Sequence, residues 1–314
     1  MSAVNLTDPI FTNEEAARAH FEKLRWPDGP VCPHCGVIDN ATELKGKSHR
    51  PGLYKCHDCQ KPFTATIGTV YERSHIQLNK WLLATHLICA SKKGMSAHQL
   101  FRMLGFGSYR TAWFMAHRIR EAMKPDMAET GPLGGEGKPV SVDETYIGGK
   151  PKNRAFDKKP RRKAVVMTLV DHEAGRASSH HIADVGADTV RDVLFTKVDR
   201  KSILVSDESR LYTATGEHFG KHETVLHAGR EYVYKGGFST NINETYFSLL
   251  KRGIYGTFHH VSEAHLHRYT TEFDFKWNTR TALGMTDTDR AALAIKGVEG
   301  KRLLYRGTSS NHAH

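Results

Sequence analysis

Apolar residues recur at helical spacing over residues 13–25, and the segment runs into the turn-forming cluster Trp26, Pro27, Asp28, Gly29 and Pro30. Residues 63–70 alternate apolar and polar positions, the pattern of a short strand, and 78–92 reads as a helix with Trp81, Leu82, Leu83, Leu87 and Ile88 on its apolar side. Two short helices follow. Ser96 is placed to cap the first, which ends at Gly105, and Ser108 to cap the second, which runs to Met123. Residues 124–139 are rich in Gly and Pro and read as a linker.

Beyond the linker the texture changes. Strands are predicted over 140–147, 163–171 and 176–185, then a helix (188–198), a strand (202–206), a helix (208–219), a short strand (223–227) and a long helix from Asn241. Three consecutive strands followed by alternating helices and strands is α/β texture, and the order is that of the ribonuclease H-like fold. The last residues, 307–314, read as a frayed end.

Composition narrows the class. The 314 residues are 39% hydrophobic, enough for a sizeable core, and no apolar run approaches the ~18 residues of a membrane span. The first residues lack a basic stretch followed by an apolar one, which speaks against secretion. Lys and Arg total 45 against 34 Asp and Glu, a net charge of +11, which favours a polyanionic partner. The excess is concentrated: residues 148–163 hold eight basic side chains and one acid. Lys150, Lys152, Arg161, Arg162 and Lys163 are candidates for DNA backbone contact, although charge runs are often no more than a solvated hairpin.

Four of the five cysteines form two pairs, Cys32/Cys35 and Cys56/Cys59, with 20 residues between. This C-x2-C, C-x2-C spacing suits Zn2+, which takes four thiolates at tetrahedral corners and can staple a module too small to bury a core of its own. Disulfides would need an oxidising compartment. His34 and His57 lie inside the pairs as flanking residues, since four thiolates complete the shell, and Cys89 reads as a core residue. The two short helices joined through Gly105 form a helix-turn-helix pattern in which Ser108, Tyr109 and Arg110, with His117, would face DNA; an ordinary helical hairpin is the bland reading.

Three acids stand out. Asp143 is predicted at mid-strand, Asp207 at a strand end and Glu244 in the first turn of the long helix. In the predicted topology the first and fourth strands are neighbours, so the three converge on one spot. Such a cluster is tolerable when divalent cations neutralise it, and hard oxygen ligands suit Mg2+ or Mn2+ in a two-metal phosphodiester displacement. Each acid also has a structural reading: Asp143 facing solvent, Asp207 as a helix cap, and Asn241 with Glu244 as a capping box. Glu144 and Glu208 adjoin the chosen Asp residues. Lys251 lies two helical turns from Glu244, on the same face, and would hold a phosphate. His259 and His260 follow this helix without a metal-ligand spacing.

The motifs together resemble those of bacterial insertion-sequence transposases of the ISXO type. The matching stretches include RWPDGPVCPHCG, VDETYIGG, SDES and TNINETYFSLLKRGIYGTFHHVS. The resemblance implies a zinc ribbon with an N-terminal helix (1–72), a helix-turn-helix (73–128), a ribonuclease H-like DDE domain (129–285) and a tail (286–314). It implies Mg-dependent cleavage at element ends and transfer of the freed 3′-OH, with Asp143, Asp207 and Glu244 on the metals and Lys251 as the associated base. Relatives vary at the third acidic position, which keeps Asn241 and Asn243 beside Glu244 there. Arg252 joins the DNA-contacting set. The implied partners are double-stranded DNA, both terminal inverted repeats and target, and further copies of the chain on that DNA. The implied setting is the bacterial cytoplasm, at the nucleoid. A ribonuclease H-like nuclease that cuts without joining, or a non-catalytic zinc-ribbon regulator, would share many of these features.

Overall fold

The computed structural model describes residues 5–126, 130–148, 163–225 and 240–304. The chain falls into two units, one of residues 1–124 with 285–314 and one of residues 125–284. In the first, the Asn13 side chain accepts hydrogen bonds from the backbone of Glu15 and Ala16 and starts helix α1 (Glu14–Arg25). A three-stranded antiparallel sheet follows: β1 (Ala41–Glu43), β2 (Tyr54–Cys56) and β3 (Pro62–Phe63), in that order. The strand expected over 63–70 stops at Phe63. Thr69 Oγ1 donates to the Thr66 carbonyl at 2.7 Å and Gly68 takes φ +73°, so the threonines that imitate strand alternation fold the backbone into turns.

Helices α2 (Leu78–Ala90), α3 (Ala97–Met103) and α4 (Tyr109–Ala122) complete this part. Gln77 makes no side-chain cap for α2. Instead the Glu14 carboxylate reaches across from α1 and accepts from Leu78 N–H (2.9 Å) and Asn79 N–H (3.1 Å), joining the two helices through the positive end of one of them.

The second unit is built on a five-stranded sheet: β4 (Pro139–Ile147), β5 (Ala164–Asp171), β6 (Ala177–Ile182), β7 (Ile203–Asp207) and β8 (Lys221–Val225), in the order β6-β5-β4-β7-β8. Pairs β4/β5 and β5/β6 are antiparallel, β4/β7 and β7/β8 parallel. This 3-2-1-4-5 order, with its change of sense at the central strand, is the ribonuclease H-like arrangement. Helices α5 (Ala187–Lys197) and α6 (Arg210–Gly216) belong to one face, where Val140, Val142, Met167 and Leu169 pack against Val190, Leu194 and Tyr212. Helices α7 (Asn241–Gly253) and α8 (Glu263–Asn278) belong to the other, where Val166 and Val170 meet Tyr246, Leu250, Phe273 and Trp277. Strand β5 is therefore apolar on both faces, as a central strand between two helical layers must be.

The edge strand β6 is covered by α8 in an economical way. The Asn278 amide accepts from Ala177 N–H at 2.6 Å and donates to Ala177 O at 2.9 Å, as a strand residue would. One turn earlier Asp274 accepts from Ser179 N–H at 2.8 Å. The outward ladder groups of Ala177 and the N–H of Ser179 are thereby satisfied, so the start of that edge is closed to another strand.

Residues after 285, read from the sequence as a tail, instead include helix α9 (Asp287–Lys296), begun by a capping box between Thr286 and Asp289. It belongs to the first unit, where Arg290 Nη1 donates to Cys89 O at 3.0 Å; Cys89 is buried, as expected of a core residue. No described helix is long and apolar enough to cross a membrane.

Candidate functional site

The four cysteine sulfurs lie within 4.8 Å of one another. Cys32 and Cys59 are 3.6 Å apart, as are Cys35 and Cys56, and no disulfide links them. A tetrahedron with Zn–S bonds of about 2.3 Å has edges of about 3.8 Å, so the cluster has the dimensions of a zinc-thiolate site. Two matching turns build it. In one, Cys32 N–H donates to Val37 O and Gly36 N–H to Cys32 O, both at 2.9 Å. In the other, Cys56 N–H donates to Lys61 O at 3.2 Å. Each needs a left-handed residue after its second cysteine: Gly36 at φ +80° and, at steric cost, Gln60 at φ +59°. His57 is engaged with Thr42 Oγ1 at 2.8 Å and His34 lies 3.4 Å from Pro62 O, so both imidazoles flank the thiolates.

In the helical pair, Ser96 Oγ accepts from Gln99 N–H at 3.2 Å and Gly105 turns the chain at φ +61°. Ser108 precedes α4 without a side-chain cap bond. Ser108, Tyr109 and Arg110 are exposed at the start of α4, and the Tyr109 ring stacks on His98 with centroids 4.3 Å apart. His117 does not face outward with them. It is fully buried against Trp113, one turn earlier, on a side of α4 that also includes the buried Arg120, away from the stripe of Ala112, Met115 and Ile119.

The carboxylates are ordered by the sheet. Ser141 of β4 pairs with Val205 of β7 in parallel register, the last pair of that ladder, and Asp143 and Asp207 each follow it by two residues on their strands. Strands are ~4.8 Å apart and side chains alternate between faces, which puts this pair on one face. Ser141 identifies the face: its hydroxyl donates to Asn243 Oδ1 at 2.5 Å, and Asn243 is on α7. Asn243 also donates to the carbonyl of Thr168, the β5 partner of Asp143, at 2.9 Å. The start of α7 is thereby pinned beside Asp143, and Glu244 is the next residue. Among the described residues, the cysteines form a tight ligand cluster and the three acids are not drawn into a comparable one.

Glu144 points the other way. Its carboxylate accepts a hydrogen bond from Tyr212 of α6. Burial pushes the Glu144 carboxyl up to about 7, against the Tyr212 hydrogen bond, and the negative charges of Asp143 and Asp207 add to the rise. Asp207 accepts from Ser209 N–H at 3.0 Å, while Ser209, not Asp207, caps α6. The capping box expected of Asn241 and Glu244 is not formed: the helix begins a residue earlier, with Thr240 as N-cap and no side-chain cap bond. Glu244 is left exposed, and Lys251, in the last turn of the same helix, is half-buried.

Asn243 as an anchor was not anticipated, yet its signal was present: it falls on the apolar stripe of Tyr246, Phe247 and Leu250. Also unforeseen is the turn after α7. Residues Ile254–Phe258 form one π-helical turn, Tyr255 OH bonds both the N–H (3.2 Å) and the carbonyl (3.3 Å) of Gly148 at the end of β4, and His259 takes φ +60°. Lys163 and Arg252 are exposed. Lys150, Lys152, Arg161 and Arg162 lie outside the described residues.

Comparison with known proteins agrees with this architecture. Residues 132–278 match the model of the ISXO2-like transposase domain, and residues 12–62 that of the transposase zinc-ribbon domain. In these two segments the chain is similar to the ISXO2-like transposases. A curated relative, described as an uncharacterized protein in transposable element ISH50 of Halobacterium salinarum, is 27% identical over 263 residues, covering 78% of this chain and 84% of that protein. Among solved structures, the catalytic core domain of BIV integrase aligns with 43% of this chain and 80% of its own at 16% identity and a TM-score of 0.29. The HTLV-2 integrase catalytic core domain, solved with magnesium, aligns with 45% and 84% at 12% identity and a TM-score of 0.27. Likenesses that remote have no bearing on function.

Proposed function

We propose that this chain is a transposase that cuts and rejoins DNA at the carboxyl ends of β4 and β7, with Asp143, Asp207 and Glu244 as ligands for Mg2+ or Mn2+. The observation that supports the reading is the register: two aspartates, each two residues beyond the last β4/β7 pair, on the face of the helix whose pinned first turn contains Glu244. The donor set fits hard divalent cations, being all carboxylate oxygen, and its negative field is strong enough to add to the rise at Glu144. Two such cations, when bound, stabilise the attacking and leaving oxygens of an in-line phosphodiester displacement. The chain's own part is to hold the acids in place from both sides of the sheet, with Lys251, one helix face along from Glu244, steadying a DNA phosphate. Asn243 is committed to Ser141 and Thr168, which favours Glu244 over Asn243 as the third ligand.

Zn2+ at Cys32, Cys35, Cys56 and Cys59 supplies folding free energy to the ribbon. Ser108, Tyr109 and Arg110 at the start of α4 read the terminal inverted repeats, with Lys150, Lys152, Arg161, Arg162, Lys163 and Arg252 on backbone phosphates. Two ends must be held together, so the working form is an oligomer on DNA, in the cytoplasm. The test is incubation of purified protein with element-end duplexes and Mg2+. Asp143→Asn should abolish nicking and strand transfer, whereas Glu144→Gln, on the opposite face, should retain both. Nicking that persists in Asp143→Asn removes that residue from the site; nicking without joining makes the protein a nuclease.

A further inference from the structure

Four of the five Lys and Arg between Trp26 and Phe63 lie on one hairpin; the fifth is Lys61, in the second cysteine turn. Between Leu44 and His57 the chain has Lys45, Lys47, Arg50 and Lys55 and no acid. All four are exposed. The opposite end of the module, residues 26–40, has Asp28 and Asp39 and no Lys or Arg. The charge is thus polar along the ribbon, not spread over it.

The hairpin is stiff at its base. Leu44 N–H donates to Leu53 O at 2.7 Å, continuing the β1/β2 ladder past the Glu43/Tyr54 pair. The Tyr54 ring stacks on Phe63 at 5.7 Å and meets Trp26 edge-on at 5.5 Å. Its hydroxyl donates to Glu22 of α1 at 3.0 Å. At the tip, His49 N–H closes a turn onto Gly46 O at 3.2 Å, and Gly52 at φ +71° brings the chain back so closely that a Cβ would lie 2.3 Å from Arg18 Cδ. Cations on a rigid tip lose little conformational freedom on binding.

We infer that this hairpin is a DNA-backbone clamp: Lys45, Lys47 and Arg50, with Lys55 behind them on β2, seat on duplex phosphates and fix the register in which α4 meets the base edges. Most of the set is lysine, a point charge on a flexible stem with no planar fork for a base edge. Such contacts position a protein on DNA and are blind to sequence. The assignment rests on the DNA-binding reading above and names the surface and the chemistry of its contact.

The test uses the zinc-loaded full chain and fluorescence anisotropy on two labelled duplexes, an element end and a random sequence, between about 50 and 200 mM salt. The triple variant Lys45→Gln, Lys47→Gln, Arg50→Gln should weaken binding to both duplexes by the same factor, at least tenfold. It should also make the slope of log affinity against log salt shallower by about 3, at ~0.9 per lost phosphate contact. Zinc content equal to that of the parent shows that the ribbon is folded, and Lys47→Gln alone should reduce the slope by about 1. An unchanged slope overturns the clamp and leaves the proposed function standing. A loss confined to the element end overturns it too, since that is base reading. Failure of the unmodified chain to bind any duplex removes the DNA-binding reading and the clamp with it.

Discussion

Asn243 is the residue whose removal should most directly expose the logic of the site. It is fully buried, accepts from Ser141 Oγ at 2.5 Å and donates to Thr168 O at 2.9 Å, so its amide ties α7 to β4 and β5 at the level of Asp143. Asn243→Ala deletes two hydrogen bonds worth about 1 kcal/mol each and strands buried polar groups at about 1–3 kcal/mol. Ser141 has a weaker alternative in Val170 O at 3.5 Å, which offsets part of this. The expected destabilisation of the unit is about 3 kcal/mol for Asn243→Ala and about 1 kcal/mol for Ser141→Ala, by the same accounting. The double variant should cost about 1 kcal/mol less than the sum, because the second deletion removes a partner already lost. Native-state hydrogen exchange of the slowest β4 and β5 amides reads these values for this unit alone. Strict additivity, or a cost for Asn243→Ala under about 0.5 kcal/mol, the range of ordinary surface changes, would refute the anchor and with it the physical reason for the first turn of α7 lying at the level of Asp143.

Removal of metal should separate the two units. Chelation, or Cys35→Ser, should unfold the ribbon while the β4–β8 sheet keeps its amide protection, with one zinc per chain lost by elemental analysis. Gln60→Gly should stabilise the ribbon by about 1 kcal/mol, since a left-handed L-residue costs about 1–2 kcal/mol; the loss of the Gln60 Nε2 bond to His57 O at 2.6 Å is the opposing effect, and zinc-retention midpoints in urea decide between them. Burial raises the Asp274 carboxyl from 3.8 to about 6. Between those values the folded state binds the extra proton, so this group's contribution falls as pH rises, by roughly 3 kcal/mol in all. Measured by urea unfolding, Asp274→Asn should therefore gain on the parent between pH ~4 and ~6, and a pH-independent difference would contradict the assignment. Gly216→Ala should be among the most damaging small changes, because its Cβ would lie 2.2 Å from the His222 ring; a melting temperature within a degree or so of the parent counts against the packing described.

What could be read from the sequence is what local chemistry decides. The cysteine spacing carries its own geometry, and the apolar runs of β5 and β7 announce a sheet covered on both faces. The misreadings share one cause, a local pattern overridden by a tertiary partner. Residues 63–70 alternate like a strand, yet the Thr69 hydroxyl finds a backbone acceptor in Thr66, the Thr64 and Thr66 hydroxyls bond each other, and Gly68 turns the chain. Asn241 and Glu244 have the spacing of a capping box, but the helix is positioned by Asn243 reaching two strands, and the cap shifts to Thr240. The start of α9 was legible in Thr286 and Asp289; what was not was that Arg290 would carry it back to Cys89. His117 was given a DNA-facing role seven residues after Arg110, on the same helix face, but α4 is buried on that side as well as along its apolar stripe.

The same reasoning explains why Asp143, and not its neighbour, belongs to the site. Apolar packing fixes β4 only in part: a slip of one residue would take Val140 and Val142 out of their core, but a slip of two would exchange valine for valine. Two polar pairs on opposite faces remove the ambiguity. Ser141 must meet Asn243 on the α7 side, and Glu144 must meet Tyr212 on the α6 side. A slipped strand would leave both buried partners unsatisfied, at about 1–3 kcal/mol for each stranded group. The residues between them then have no freedom: Val142 goes to the core and Asp143 to the face it shares with Asp207. On this account the burial that raises Glu144 is the means by which the register is held, and the half-buried carboxylate one position earlier depends on it.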